Sequence, residues 1–233
     1  MLRSIDGPRT PRDRDGARVD RSERAMTFPF RQDAAREPST LPLFPLRTVL
    51  FPGGVLPIKI FEQRYIDMAT ACIKHEQPFG VCLLTQGEEV APPGARQEFA
   101  MIGTFARIVR FDMPQLGILH VVTEGGARFR VQRHRVATDN LAVGDVTPLA
   151  TEPPSTLAEQ YQPLAQLLEL IAARVGADNF PAERRYDDGS WVSYRLAELL
   201  PLPLHIKQSM LEVNDAAVRL AVLRDFLVQQ ELL

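Results

Sequence analysis

The stretch from Leu41 to Tyr65, LPLFPLRTVLFPGGVLPIKIFEQRY, constrains the fold more than any other part of the chain. Its pattern predicts a strand, a Pro-Gly-Gly turn, a second strand and then a helix. Pro45 cannot donate to a sheet ladder, which predicts a first strand that is short or lies at an edge. Glu62 is placed to complement the N-terminal dipole of the helix. We expect Arg64 to pair with a carboxylate and Tyr65 to pack between helix and sheet. The residues expected to serve this structural motif are Phe44, Pro45, Phe61, Glu62, Arg64 and Tyr65.

Residues 79–149 continue with patterns typical of strands. The segment 79–84 is apolar enough to be a central strand. Residues 100–110 predict another strand, and residues 111–117 predict the tip of a hairpin, because Pro114 and Gly117 interrupt the ladder. We expect Gly125 and Gly126 to form a turn that separates a strand at 118–123 from one at 127–131. A last strand is expected at 143–149.

From Ser155 the apolar period changes from that of a strand to that of a helix. Thr156 and Glu159 fit a capping box for a helix that ends near Val175. Further helices are predicted at 191–200 and 203–212. Asn214 or Asp215 is expected to cap the last helix. The apolar face expected for that helix consists of Val218, Val222, Phe226 and Leu227.

Four of these stretches together resemble the N-terminal substrate-binding domain of Lon proteases, and are most similar to stand-alone bacterial proteins that carry this domain. They are the FEQRY unit, the Gly103-Thr104 pair before a strand, the Gly-x-x-Arg-Phe segment at 125–129 and the Lys-Gln-x-x-Leu-Glu segment at 207–212. The resemblance implies an α+β fold: a PUA-like, mostly antiparallel β-barrel with one helix, followed by a C-terminal helical bundle. We expect the barrel at 40–152 and the helices at 153–233, together one domain of this type.

The first 39 residues differ in kind from the rest of the chain. They hold nine arginines, seven acidic residues, four prolines and no lysine, with few apolar residues. Such a segment cannot bury enough surface to offset its ordering entropy. We therefore expect residues 1–39 to be a disordered tail, with Met26 as a second candidate start.

Motifs for catalysis and metal binding are absent from these 233 residues. None of the three lysines lies in a Gly-Lys-Ser or Gly-Lys-Thr phosphate loop, and no serine lies in Gly-x-Ser-x-Gly. The four histidines are isolated, without the spacing of a zinc site. The longest apolar runs fall short of the roughly 20 residues that span a bilayer. We therefore expect a non-enzymatic, cytoplasmic protein with no metal, no cofactor and no membrane contact.

The resemblance implies that the domain captures unfolded or tagged polypeptides. Our hypothesis is a non-catalytic polypeptide-recognition module in protein quality control, with a role as adaptor to a separate protease. The candidate binding residues are Phe111, Met113, Pro114 and Leu116, because apolar side chains at a hairpin tip cannot all reach a core. The groove between the barrel and the helical bundle is a second candidate site.

The alternative is an RNA-binding PUA-like module. Arg107, Arg110, Arg128 and Arg130 lie on neighbouring predicted strands, where side chains on one shared face would contact phosphates. Residues 40–233 carry 18 basic and 22 acidic groups, a net charge of -4. No aromatic ladder for base stacking accompanies the arginines. Both features favour polypeptide over nucleic acid as the partner.

Overall fold

The computed structural model describes residues 39–90, 97–175 and 180–232. The tail for which we predict disorder lies outside the described residues, apart from Ser39. The described part has a mixed α/β fold with a mostly antiparallel sheet.

Seven strands of the described residues form one sheet, and β6 is its longest member. Their order is β1-β7-β6-β5-β3-β4, and β2 pairs with β6 beside this path. All pairings are antiparallel except that of β1 with β3, which joins the two sides of the path. The bounds are β1 Ser39–Leu46, β2 Val55–Ile60, β3 Phe79–Gln86, β4 Glu98–Phe99, β5 Ile102–Gln115, β6 Ile118–Val136 and β7 Ala142–Pro148.

Strand β1 is neither short nor at an edge, contrary to the prediction from Pro45. It is eight residues long and has a partner strand on each side. Its first half pairs with β7 and its second half with β3, and Leu43 is the residue shared by both ladders. Pro42 pairs only with β7 and Pro45 only with β3. Each proline therefore lies where one side of β1 is unpaired, and there a missing N–H group is tolerated. The change of partner explains why two prolines fit in an interior strand.

The turn predicted at Gly125 and Gly126 is wrong, because both glycines lie inside strand β6. The turn at Pro52–Gly54 packs against β6 at this point. Gly53 donates to the carbonyl of Gly125 over 2.7 Å, and Gly125 donates to the carbonyl of Gly54 over 2.8 Å. A Cβ atom at Gly125 would lie 2.2 Å from the carbonyl oxygen of Phe51. Glycine is required here by close backbone approach, which gives the same local signal as a turn.

Five α-helices occur in the described residues: α1 Gln63–His75, α2 Gln162–Val175, α3 Gly189–Leu199, α4 Leu204–Glu212 and α5 Ala216–Gln229. The predicted capping box at Thr156 is wrong, because Thr156 forms an isolated β-bridge with Asp188. A short 3-10 turn, Glu159–Tyr161, precedes α2 instead. Asp215 caps α5 by accepting from the N–H groups of Ala217 and Val218.

The apolar face predicted for α5 is half right. Leu227 is buried and Phe226 packs half-buried against the core, but Val218 and Val222 are about half exposed. Leu220 and Leu223, which were not predicted, are buried instead. Arg219 is also buried, with 1% of its surface exposed. The buried face thus includes a charged residue, which a search for apolar periodicity passes over.

One hydrophobic core joins the sheet to the C-terminal helices. Phe51, Leu83 and Ile102 from the β region pack in the same cluster as Leu196 of α3 and Leu223 of α5. Two smaller clusters lie within the sheet and under α1. Buried side chains fill the interior between the sheet and these helices. The groove expected along their boundary stays a prediction. None of the described helices combines the length and the apolarity required to cross a bilayer.

Candidate functional site

The hairpin formed by β5 and β6 presents the apolar residues predicted from the sequence. Strand β5 continues to Gln115, so Phe111, Met113 and Pro114 belong to the strand and only Leu116-Gly117 forms the tip. Gly117 has φ +82°, a backbone conformation that favours glycine. Phe111 is 60% exposed, Met113 47% and Leu116 92%. We call these three side chains, together with the exposed Pro114, the hairpin surface.

The hairpin surface borders a shallow groove on the outer side of α1. The wall from α1 consists of Thr70, Ile73 and Lys74. The wall from the hairpin includes Phe111 and Met113, and Leu119 of β6 contributes to the lining. Phe111 and Met113 lie two residues apart on β5, and both line the groove. Lys74 and Asp112, the two charged residues of this groove, have opposite signs. The groove is thus mainly apolar and close to neutral.

The four arginines of the alternative hypothesis do not form one surface. Arg107 pairs with Glu124 over 2.8 Å, and both side chains are partly exposed. Arg110 and Arg130 are exposed, but Arg128 is buried, with 5% of its surface accessible. A buried guanidinium cannot contact a nucleic-acid backbone. The structure therefore removes Arg128 from the predicted basic patch.

Arg128 has a structural role at the junction of sheet and helices. Its guanidinium donates to the carbonyl of Leu211 over 2.8 Å and to the side chain of Asn214. Both acceptors lie at or beyond the C-terminal end of α4. Carbonyl groups at a helix end lack intrahelical partners, and a cation there also complements the helix dipole.

A second buried arginine, Arg219, was missed by the sequence analysis. It pairs with Glu152 over 2.6 Å and donates to the hydroxyl of Ser193 over 3.0 Å. Its guanidinium also lies 4.0 Å from the centre of the Tyr194 ring. Arg219 lies four residues before Leu223 and eight before Leu227, on the buried face of α5. This helical spacing is the signal in the sequence that could have found it.

The FEQRY motif has the structural role expected for most of its members. The ring of Tyr65 stacks on Phe44 with 3.9 Å between ring centres. Arg64 pairs with Glu62 over 2.9 Å and donates to the carbonyl of Asn140 over 2.7 Å. Glu62 is the N-cap residue of α1, but its side chain makes no capping hydrogen bond. Phe61 is the exception, because 52% of its surface is exposed.

No metal centre is formed by the described residues, since no three His, Cys, Asp or Glu side chains come together in a suitable group. The two cysteines, Cys72 and Cys82, are free and buried. Burial raises the pKa of the Cys72 thiol to about 11 and that of the Cys82 thiol to about 12. Thiols with such pKa values are protonated at neutral pH and are poor nucleophiles.

The comparison with known families matches the part of the chain that holds all four sequence motifs. The family model of the ATP-dependent protease La (LON) substrate-binding domain matches residues 40–229. The chain belongs to this family. The Lon-type resemblance inferred from FEQRY and the three later stretches is thereby confirmed.

Relatives of this Lon-domain chain are full-length Lon proteases. Lon protease 2 of Myxococcus xanthus is 30% identical over 197 residues, which cover 82% of this chain and 24% of that protein. The Lon protease of Anaeromyxobacter dehalogenans is 29% identical over 203 residues, which cover 82% and 23% of the two chains. The Lon-domain chain thus spans about a quarter of the length of these relatives.

Solved structures show the same fold. A Lon N-terminal domain protein from Xanthomonas campestris is 35% identical, with a TM-score of 0.66. The match covers 80% of this chain and 98% of that one. The N-terminal domain of the Mycobacterium avium complex Lon protease is 20% identical, with a TM-score of 0.53 over 80% of this chain and 97% of that chain. This second likeness shows the fold alone.

Proposed function

We propose that the chain is a non-catalytic module that recognises unfolded or partly folded polypeptides through the hairpin surface. The observation that carries the proposal is the exposure of Phe111, Met113 and Leu116 on a rigid two-stranded support beside an apolar groove. Membership of a substrate-binding domain family supports it. Exposed apolar side chains on one edge are suited to chains that expose their own apolar residues, because association removes both from water.

The proposal also covers the biological role of the protein. We propose that the protein acts in cytoplasmic protein quality control as an adaptor that delivers bound polypeptides to a separate protease. The absence of phosphate-loop and Gly-x-Ser-x-Gly motifs from these 233 residues supports a role without catalysis of its own. The flexibility of Met113 supports tolerance of many different ligands, because an unbranched thioether side chain adapts to varied surfaces.

We also propose that the strands form a PUA-like barrel and that the C-terminal helices form a bundle. The pairing of β1 with β3 supports the first part, because it joins the two sides of the strand order. Contacts of α3 with α2, α4 and α5 support the second part. The RNA-binding alternative has no comparable support, since Arg128 is buried and Arg107 is paired with Glu124.

Binding of reduced, carboxymethylated lactalbumin, a permanently unfolded protein, tests the proposed function. We expect saturable binding in fluorescence anisotropy and no binding of native lactalbumin. The double variant Phe111→Ser, Met113→Ser should bind about 30-fold more weakly, because two apolar contacts, each worth about 1 kcal/mol, are lost. The matched control is Leu170→Ser, which removes an apolar side chain that is 68% exposed on α2.

The results of this experiment show whether the hairpin surface is responsible for binding. A selective loss in the double variant would support the hairpin surface. Equal loss in both variants would show that exposed apolar area in general, and not this surface, determines binding. Failure of the unmodified protein to bind would refute the proposed function. Copurified nucleic acid with salt-sensitive affinity would instead support the RNA alternative.

A further inference from the structure

Strand β2 has one edge without a strand partner among the described residues. It pairs with β6 through residues 55–60, and no other described strand pairs with it. A slot runs along this edge, between β2 and the chain that follows β1. Its apolar walls come from Leu46, Leu56, Ile58 and Val90, and we call it the β2 slot. An unpaired strand edge can hydrogen-bond to an extended segment of another chain.

The hydroxyl group of Tyr65 is the feature that marks the β2 slot as a site for a ligand. Tyr65 lines the slot, yet only 2% of its surface is exposed. Its hydroxyl is buried without a hydrogen-bond partner in the described part of the chain. A buried polar group without a partner costs about 1–3 kcal/mol. A ligand that supplies an N–H or C=O group at this point would remove that cost.

The hydroxyl group of Tyr65 stays protonated, so it can both donate and accept a hydrogen bond. Burial raises the pKa of Tyr65 to about 12, and Arg64 opposes this shift while Glu62 and Glu89 add to it. The phenol is therefore protonated throughout the physiological range. Main-chain amides offer both an N–H and a C=O group, which is the pair that such a hydroxyl can satisfy.

The charges around the β2 slot indicate which polypeptides suit it. Its charged lining residues are Lys59, Glu62 and Glu89. Glu62 is paired with Arg64 over 2.9 Å, so the remaining charges, Lys59 and Glu89, have opposite signs. The slot is therefore close to neutral, which favours an uncharged apolar segment as its ligand.

The sequence of β2 limits how its edge is used. Pro57 lacks an N–H group, and Lys59 is a charged residue on the same strand. Both features hinder strand pairing between copies of one protein. An added segment can therefore form only a short ladder with β2, and its selectivity depends on the slot.

We infer that the β2 slot binds an extended, uncharged polypeptide segment that carries an apolar side chain. The apolar side chain enters the slot, the main chain pairs with β2, and a main-chain amide satisfies the hydroxyl of Tyr65. This inference rests on the proposed function and names the kind of segment that is recognised. It uses a surface distinct from the hairpin surface, so the two can fail separately.

A fluorescein-labelled peptide, Gly-Ser-Val-Leu-Phe-Ser-Thr-Val-Ser-Gly, provides the test by fluorescence anisotropy on the full chain. Tyr65→Phe should weaken binding about fivefold, the equivalent of one lost hydrogen bond. The unfolding midpoint of this variant should be unchanged or higher, because the stack on Phe44 is kept and an unsatisfied group is removed. The matched control is Tyr186→Phe, since Tyr186 also has a buried hydroxyl without a described partner but does not line the slot.

Two altered peptides test the main-chain pairing and the side-chain contacts that the inference requires. Methylation of the main-chain nitrogens at Leu and Phe should weaken binding about tenfold, because ladder hydrogen bonds are lost. Replacement of Leu and Phe by Ser should also weaken binding, because the apolar contacts with the slot are lost. Equal binding of the methylated and unmethylated peptides would overturn strand addition. Unchanged affinity in Tyr65→Phe, or a lower unfolding midpoint, would overturn the role of the hydroxyl.

The double variant Phe111→Ser, Met113→Ser distinguishes this inference from the proposed function. We expect it to bind the short peptide normally while it loses affinity for carboxymethylated lactalbumin. Loss of peptide binding in this variant would place the peptide on the hairpin surface and refute the β2 slot. Normal lactalbumin binding with no effect of Tyr65→Phe on the peptide would refute the slot and leave the proposed function intact.

Discussion

Arg128 of β6 and Arg219 of α5 both donate a hydrogen bond to the carbonyl oxygen of Val213, over 3.3 Å and 2.9 Å respectively. Val213 lies in the connection between α4 and α5. One arginine thus comes from the sheet and the other from a helix. Because both side chains are buried, their shared acceptor fixes the position of this connection relative to the sheet.

Replacement of Arg128 by Met should therefore destabilise the protein strongly. The carbonyl of Leu211 would lose its donor in a buried place, and the methionine side chain offers no replacement. We expect a loss on the order of 3 kcal/mol in the free energy of unfolding, measured by urea denaturation. The control is Arg130→Met, two residues along the same strand and exposed, with an expected change within about 0.5 kcal/mol. Equal effects of the two changes would contradict the role given to Arg128.

Neighbouring glycines of β6 should respond very differently to substitution by alanine. At Gly125 the new Cβ would lie 2.2 Å from the carbonyl oxygen of Phe51, which is backbone and cannot move aside alone. At Gly126 the nearest atoms, from Phe105, are 3.6 Å away, an ordinary contact. We expect Gly125→Ala to cost about 3 kcal/mol in unfolding free energy. Gly126→Ala should be neutral or slightly stabilising, because it reduces the entropy of the unfolded chain.

The same pair of glycines shows where sequence reasoning succeeds and where it stops. Local patterns are sufficient for the strand–turn–strand–helix unit at 41–65 and for the helices after residue 188, because propensity and capping residues act within a few positions. A glycine pair signals either a turn or a close approach of distant backbone. The partner of Gly125 is Phe51, 74 residues away in the sequence (125 minus 51), so only the tertiary structure decides between the two.

Sequence reasoning likewise predicts one part of the candidate site and misses another. Exposure of Phe111, Met113 and Leu116 could be predicted, because an apolar hairpin tip has no core within reach. Burial of Arg128 could not, since arginine is ordinarily exposed and its acceptors are carbonyl groups, which carry no sequence signal. The β2 slot could not be predicted from the sequence either, because it depends on which edge of β2 remains unpaired. The role of Tyr65 in helix packing was predicted, but the missing partner of its hydroxyl was not.

The two thiols should be unreactive in the native protein. Burial raises the pKa of Cys72 to about 11 and that of Cys82 to about 12, so the thiolate fraction at pH 8 is very small. We expect alkylation by iodoacetamide at pH 8 to be slower than for an unfolded control by at least about 100-fold, because the thiolate is the reacting species. Mass spectrometry with and without 6 M guanidinium chloride measures this difference. Rapid labelling of either cysteine without denaturant would contradict its buried position.

The stability of the protein at alkaline pH should depend on Tyr65. Burial raises the pKa of this tyrosine from the ordinary 10.0 to about 12 in the folded state. Between these two values the folded state holds a proton that the unfolded state releases. Stability from this group is therefore fully present below pH 10 and is lost as the pH rises towards 12. At pH 11 the loss should reach about 1 kcal/mol relative to pH 7.

The effect of Tyr65 is read as a difference between variants, because the contributions of all other groups cancel in that difference. Urea unfolding at pH 7, 9, 10 and 11 should show that the unmodified protein loses about 1 kcal/mol more than Tyr65→Phe over this interval. Phenylalanine keeps the stack on Phe44 and has no proton to release. Tyr161→Phe is a suitable second control, because Tyr161 is also buried but lines neither the β2 slot nor the groove at the hairpin. Parallel stability curves for the unmodified protein and Tyr65→Phe would mean that the hydroxyl is solvated in solution, and would remove the main support for a ligand in the β2 slot.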